Sequence, residues 1–107
     1  METSYKDAVE MLMDVIQRLS DAYDASTDDD DKDSIFSTME ILQDEVNSVS
    51  AAGLSESNSA YQAQTDNFRN SANQLDDFKT KIDQYINNVA LAGSIADSMT
   101  KVLALLA

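Results

Sequence analysis

The sequence predicts an all-α protein: a helical bundle of three to four helices, with a long C-terminal helix carrying a coiled-coil-like heptad seam. Three observations predict it. The 107 residues include no proline and only two glycines, Gly53 and Gly93, whereas a sheet protein of this size needs turn residues roughly every ten positions. Apolar side chains recur three and four residues apart through most of the chain, which is the helical period. The length leaves room for one domain, residues 1–107, with a modest core.

The first helix is expected over residues 4–26. Tyr5, Ala8, Leu12, Val15, Leu19 and Ala22 form one stripe, and Val9, Ile16 and Tyr23 widen it to the breadth of a helix that packs on more than one neighbour. Ser4 followed by Asp7 resembles a capping box, which satisfies the free backbone N–H groups at a helix start. Asp14 and Arg18 form an i,i+4 pair in the favourable orientation.

Residues 27–33 contain the run Asp28-Asp29-Asp30-Asp31-Lys32-Asp33, and packed like charges resist continuing a helix. An acidic loop is therefore expected there, followed by a second helix over 34–52 with Ile35, Met39, Leu42, Val46 and Val49 on one face. Gly53 suits the left-handed cap that ends such a helix, and Ser55 suits the N-cap of the next.

The third segment, 55–106, holds the longest pattern. Phe68, Ser71, Leu75, Phe78, Ile82, Tyr85, Val89, Ala92, Ala96, Met99, Leu103 and Leu106 alternate in spacing without a slip, and Tyr61 lies one heptad before Phe68. Ile86, Leu91, Ile95, Val102 and Leu105 lie off that seam, so the last turns are apolar nearly all round and demand burial on several sides. A continuous helix would be ~78 Å long, against ~35 and ~28 Å for the first two. Either it bends back near Asn70–Asn73 or Asn87-Asn88, or another chain covers its end. Neither bend contains glycine or proline, which favours the continuous helix buried in an oligomer or a partner.

The net charge is −13, with no histidine and no cysteine. Lacking both, the chain has no thiolate or imidazole for nucleophilic, general-base or transition-metal chemistry, so no enzyme and no cofactor are expected. Residues 1–53 carry 14 acids against 3 bases, giving −11, and residues 54–107 carry 6 against 4, giving −2. That balance disfavours direct nucleic-acid binding and an anionic membrane surface. The apolar stretch from Val89 contains Asp97 and Lys101 and is too short for a membrane span, and Met1-Glu2-Thr3-Ser4 does not read as a cleavable secretory signal. The expected location is the cytoplasm, or outside the cell by a signal-peptide-independent route.

Counted from Asp29, the acidic run resembles an EF-hand calcium loop, which joins two helices and takes oxygen ligands at alternating positions. Asp29, Asp31, Asp33, Ser37 and Glu40 fall on ligand positions and Phe36 on the hydrophobic one, while Ser34 replaces the glycine of the sharp turn. The alternative is a solvated charge run followed by a Ser37–Glu40 capping box. Gly53, Tyr61-Gln62-Ala63-Gln64, Phe68, Leu75 and Ile82 resemble the second helix of the secreted WXG100-type helical hairpins, although Ala51 stands where that family's turn has tryptophan. The resemblance implies bacterial export through a specialised secretion system and pairing with another helical hairpin. Needle subunits of type III secretion share the short hairpin with an apolar C-terminal helix.

The expected function is therefore that of a non-enzymatic helical interaction protein. Val89, Ala92, Ile95, Ala96, Met99, Val102, Leu103 and Leu106 would bind another helical protein or a second copy of the chain, as in a secretion-system component, secreted helical subunit or chaperone. The alternative is an acidic inhibitor, such as an immunity protein, antitoxin or phage anti-defence protein. It would present the N-terminal half to a basic or nucleic-acid-binding target. A calcium-binding module is the third reading.

Overall fold

The computed structural model describes residues 2–107. Among them the chain forms helices α1 (Tyr5–Ala25), α2 (Asp29–Ala51), α3 (Asp66–Arg69), α4 (Ala72–Thr80), α5 (Ile82–Tyr85) and α6 (Val89–Ala104), and no strand. The principal extents are 40 × 25 × 21 Å, half the length that an unbroken third helix would require. α1 and α2 form an antiparallel hairpin, α6 lies antiparallel along the other side of α1, and α3–α5 run back beneath α2 and α6.

α1 begins as expected, with the Ser4 Oγ accepting a hydrogen bond from the Asp7 amide at 3.1 Å. α2 begins five residues earlier than the charge argument places it. Asp28 is its N-cap, accepting from the Asp31 amide at 3.0 Å, and Asp29, Asp30 and Asp31 form its first turn. Carboxylates next to the unsatisfied N–H groups of a helix start each gain about 0.3–1 kcal/mol from the helix dipole, which outweighs repulsion between exposed neighbours. The residues expected as a loop are instead a helix start, and Ser37 and Glu40 lie inside α2 and cap nothing.

Gly53 ends α2 in the left-handed region at φ 74°. Its amide donates to the Ser50 carbonyl and the Leu54 amide to the Val49 carbonyl, both at 3.0 Å, the double bond of a Schellman cap. Ser55 then caps no helix. Residues 54–65 form a non-helical crossover, in which the Ser57 hydroxyl accepts from the Ser59 amide at 3.1 Å, a local bond that competes with helix. The crossover passes over the start of α1. The Tyr5 amide donates to the Ser59 carbonyl at 3.0 Å, Lys6 to Ser57 at 3.1 Å, and Tyr61 to Thr3 at 2.8 Å. Two of the free N–H groups at the start of α1 are thereby satisfied by another segment's carbonyls.

The expected helix over 55–106 is broken at both candidate bends. Ser71, the polar member of the seam, is buried and donates its hydroxyl to the Phe68 carbonyl at 2.7 Å, beside its own amide at 3.1 Å, a tight local turn in place of a further helical turn. At the second bend Ile86 is extended (φ −131°, ψ 113°), and the Asn88 side chain caps α6 by accepting from the Leu91 amide at 3.0 Å. Folding back lets α6 bury its apolar face against α1 and α4. Phe68, Leu75, Phe78, Ile82, Ala92 and Met99 are all buried in the core shared with Leu12, Val15, Leu19, Ile35 and Leu42. The spacing marked the buried positions as far as Ile82; beyond it Val89 is 82% exposed while Ile86, Ile95 and Val102, off the seam, are buried, and the continuity inferred from it does not hold.

Candidate protein-interaction surfaces

The eight residues expected to bind a partner separate into two groups. Ala92, Ile95, Met99 and Val102 are no more than 1% exposed and pack into the chain's own core, so the end of the seam is covered by α1 and α4. Ala96, Leu103 and Leu106 are half-buried, and Val89 is 82% exposed at the start of α6. What remains of the expected surface is a discontinuous apolar edge.

The five oxygen-bearing residues of the expected calcium loop do not converge. All lie on α2, and from Asp29 to Glu40 is ~16 Å along the axis. Asp31 is half-buried and the other four are exposed. No group of three or more acids, histidines or cysteines among the described residues is placed to hold a metal ion.

The acids are gathered instead along the outer face of the α1–α2 hairpin. Glu10, Asp21 and Asp24 line the α1 side, and Asp29, Asp33, Glu40 and Asp44 the α2 side, all exposed. Lys32, the base within the acidic run, is turned inward. Its Nζ donates to the Tyr23 carbonyl at 2.9 Å and lies 4.2 Å from the centre of the Tyr23 ring. It therefore serves the carbonyl end of α1 and leaves the acids around it unneutralised. Arg18 is likewise engaged, bonding Asp14 at 3.1 Å on the α6 side, where Ser98 also donates to Asp14 at 2.9 Å. The Arg18 bond lowers the Asp14 carboxyl below its ordinary value of 3.8, burial works against it, and Ser98 adds to the lowering.

A polar cluster that sequence reasoning missed holds this face in place. Glu45 is fully buried on α2, between Leu42 and Val49 on the apolar side. Its carboxylate accepts from the Tyr61 hydroxyl at 2.5 Å, the Gln64 amide at 2.8 Å, and the Thr65 amide and hydroxyl at 2.9 Å each. Tyr61 packs edge-on against Tyr5 with ring centres 5.4 Å apart. Thr65 in turn caps α3 by accepting from the Phe68 amide at 3.1 Å. One carboxylate thus ties the crossover to the hairpin. The legible signal was an acid standing within the apolar stripe of the second helix; its donors, sixteen to twenty residues away, carried none.

Burial, then the Glu45 carboxylate, push the Tyr61 hydroxyl well above the ordinary tyrosine value of 10.0, with Tyr5 adding to the shift and Arg69 opposing it. The folded state therefore favours the neutral phenol. Its contribution to stability is fully present below pH 10.0 and is lost as the pH rises beyond it. Denaturant unfolding at about pH 8 and about pH 11 is expected to show a smaller alkaline loss in Tyr61→Phe than in the parent. Equal losses would mean that this hydroxyl does not carry the effect.

Compared with known proteins, the chain matches no family model, no curated protein and no solved structure.

Proposed function

We propose that the chain is a non-enzymatic, protein-binding module whose acidic α1–α2 hairpin engages a basic protein. The observation that carries this reading is the fate of the charges. The acids of the hairpin, Glu45 apart, face solvent or stand at its edge, while Lys32 is turned into the fold and Arg18 is paired with Asp14, which leaves Lys6 as the remaining exposed base. The absence of histidine and cysteine supports the non-enzymatic part. Such a field attracts a cationic partner and steers its approach, an effect screened beyond about 8 Å at physiological salt. An inhibitor of a nucleic-acid-binding protein would use this surface in place of the phosphates.

A second reading rests on a different observation. Val89 is 82% exposed beside half-buried Leu91, and Leu103, Leu105 and Leu106 are half-buried at the other end of α6. That edge would receive a helical partner or a second copy, as in a secretion-system component, secreted helical subunit or chaperone.

Changing Asp28, Asp29, Asp30 and Asp31 to Asn separates the two. Asn caps a helix as well as Asp does, so the start of α2 survives. Loss of dipole stabilisation and relief of repulsion oppose each other, and stability is expected to change by no more than about 1 kcal/mol. With the partner recovered by affinity capture and then purified, the quadruple variant is expected to associate at least about tenfold more slowly and with a flatter salt dependence. An unchanged association rate, with binding lost on Val89→Asp or Leu103→Asp, would establish the second reading in its place.

A further inference from the structure

Between the acidic rims of the hairpin lies an apolar strip that the fold leaves open. Met13 is 55% exposed and Phe36 50% exposed, and Ile16, Tyr23 and Met39 are only partly covered where they pack on the core. On α1, Met13, Ile16 and Tyr23 fall three and seven residues apart, on the side of the helix turned to α2; on α2, Phe36 and Met39 occupy the facing side. The Tyr23 and Phe36 rings meet with centres 6.2 Å apart, and the antiparallel register places Ile16 and Met39 further along. The strip therefore follows the groove between the two helices for ~15 Å, the axial distance from Met13 to Tyr23. Two methionines line it, and their unbranched thioether chains mould to varied partners.

We infer that this groove docks an amphipathic basic helix of a partner protein. The inference rests on the reading of the hairpin as a surface for basic proteins and adds where, and in what form, such a partner is held. Two antiparallel helices present a groove into which a third helix packs its ridges. Apolar side chains on one face of the incoming helix would cover Met13, Ile16, Phe36 and Met39. Lysines and arginines on its flanks would meet Asp24 on one rim and Asp33 and Glu40 on the other. A second copy of this chain is a poor occupant, because its own rims would set acid against acid across the interface.

The chain contains no tryptophan, so a tryptophan in a probe peptide reports its own burial. The probe is a helical peptide of about 14 residues, roughly 21 Å long, with leucines and one tryptophan on one face and lysines and arginines on the other. Its emission is expected to shift to the blue on titration with the protein. Met13→Glu and Phe36→Glu are each expected to weaken binding at least tenfold. Both side chains are half-exposed, and far-UV circular dichroism confirms that each variant folds. Equal affinity for a shuffled peptide of the same composition, or no binding at protein concentrations up to about 100 μM, would overturn the groove while leaving the acidic-surface reading intact. Binding undiminished in both variants but lost on Val89→Asp would overturn it in favour of the α6 edge. Equal affinity for a peptide with glutamine at every basic position would overturn the acidic-surface reading itself.

Discussion

Glu45→Ala is expected to destabilise the fold by about 3–5 kcal/mol. The substitution removes the acceptor of four donors, the Tyr61 hydroxyl, the Gln64 amide, and the Thr65 amide and hydroxyl. Tyr61 is half-buried and can turn towards water, whereas the two backbone amides, whose bonds to Glu45 are part-buried, cannot rotate away as a side chain does. Each buried donor left without a partner costs about 1–3 kcal/mol. For a domain near this size the loss corresponds to a fall of at least about 12 °C in melting temperature. Glu45→Gln keeps one acceptor oxygen and turns an amino group against the remaining donors, so its loss is expected to be intermediate. Amide exchange at Gln64 and Thr65 should accelerate in both variants. A change within about 1 kcal/mol for Glu45→Ala, with those amides still protected, would show that the crossover is held by other contacts.

Met99→Asp is expected to leave the chain largely unfolded, whereas Leu103→Asp is expected to cost about 1–2 kcal/mol and leave it folded. The two residues occupy equivalent places in the sequence pattern, four apart on one seam. Their surroundings differ: Met99 is 1% exposed in the core, and Leu103 is half-buried near the end of α6. An isolated carboxylate in that core has no charge partner, and the several kcal/mol needed to bury it are comparable to the whole stability of a small domain. Thermal unfolding followed by circular dichroism distinguishes the cases. If Met99→Asp stayed folded and merely lost an oligomer, the seam would be an interface between chains and α6 would not pack as described.

The outward-facing groove was partly legible. Ile16 and Tyr23 widen the stripe of the first helix, which pointed to a second packing direction on that side. Phe36 drew attention as the hydrophobic position of a calcium loop, and Met13 drew none, since a single apolar residue off the main stripe is ordinary on a surface. Only the antiparallel pairing of α1 with α2 brings Phe36 beside Tyr23 and sets the acids as two rims around them. The inward turn of Lys32 was equally invisible, because its acceptor is a backbone carbonyl of the preceding helix.

By itself the sequence determined the helical class, the cap at Ser4, the stop at Gly53 and the buried positions from Phe68 to Ile82, because each follows from local spacing or from one residue's backbone preference. Only the tertiary structure decided where the helices break, that the aspartate run opens α2 instead of interrupting the chain, and that Glu45 lies inside. Periodicity records which face of a segment is apolar, and that face is the same whether the helix continues or folds back. Continuity is settled by a competition between the backbone bonds of one more helical turn and the burial gained by returning to α1. Ser71 and Asn88 shift that competition by supplying local bonds at the breaks, and the burial of α6 against α1 and α4, a non-local term, decides it.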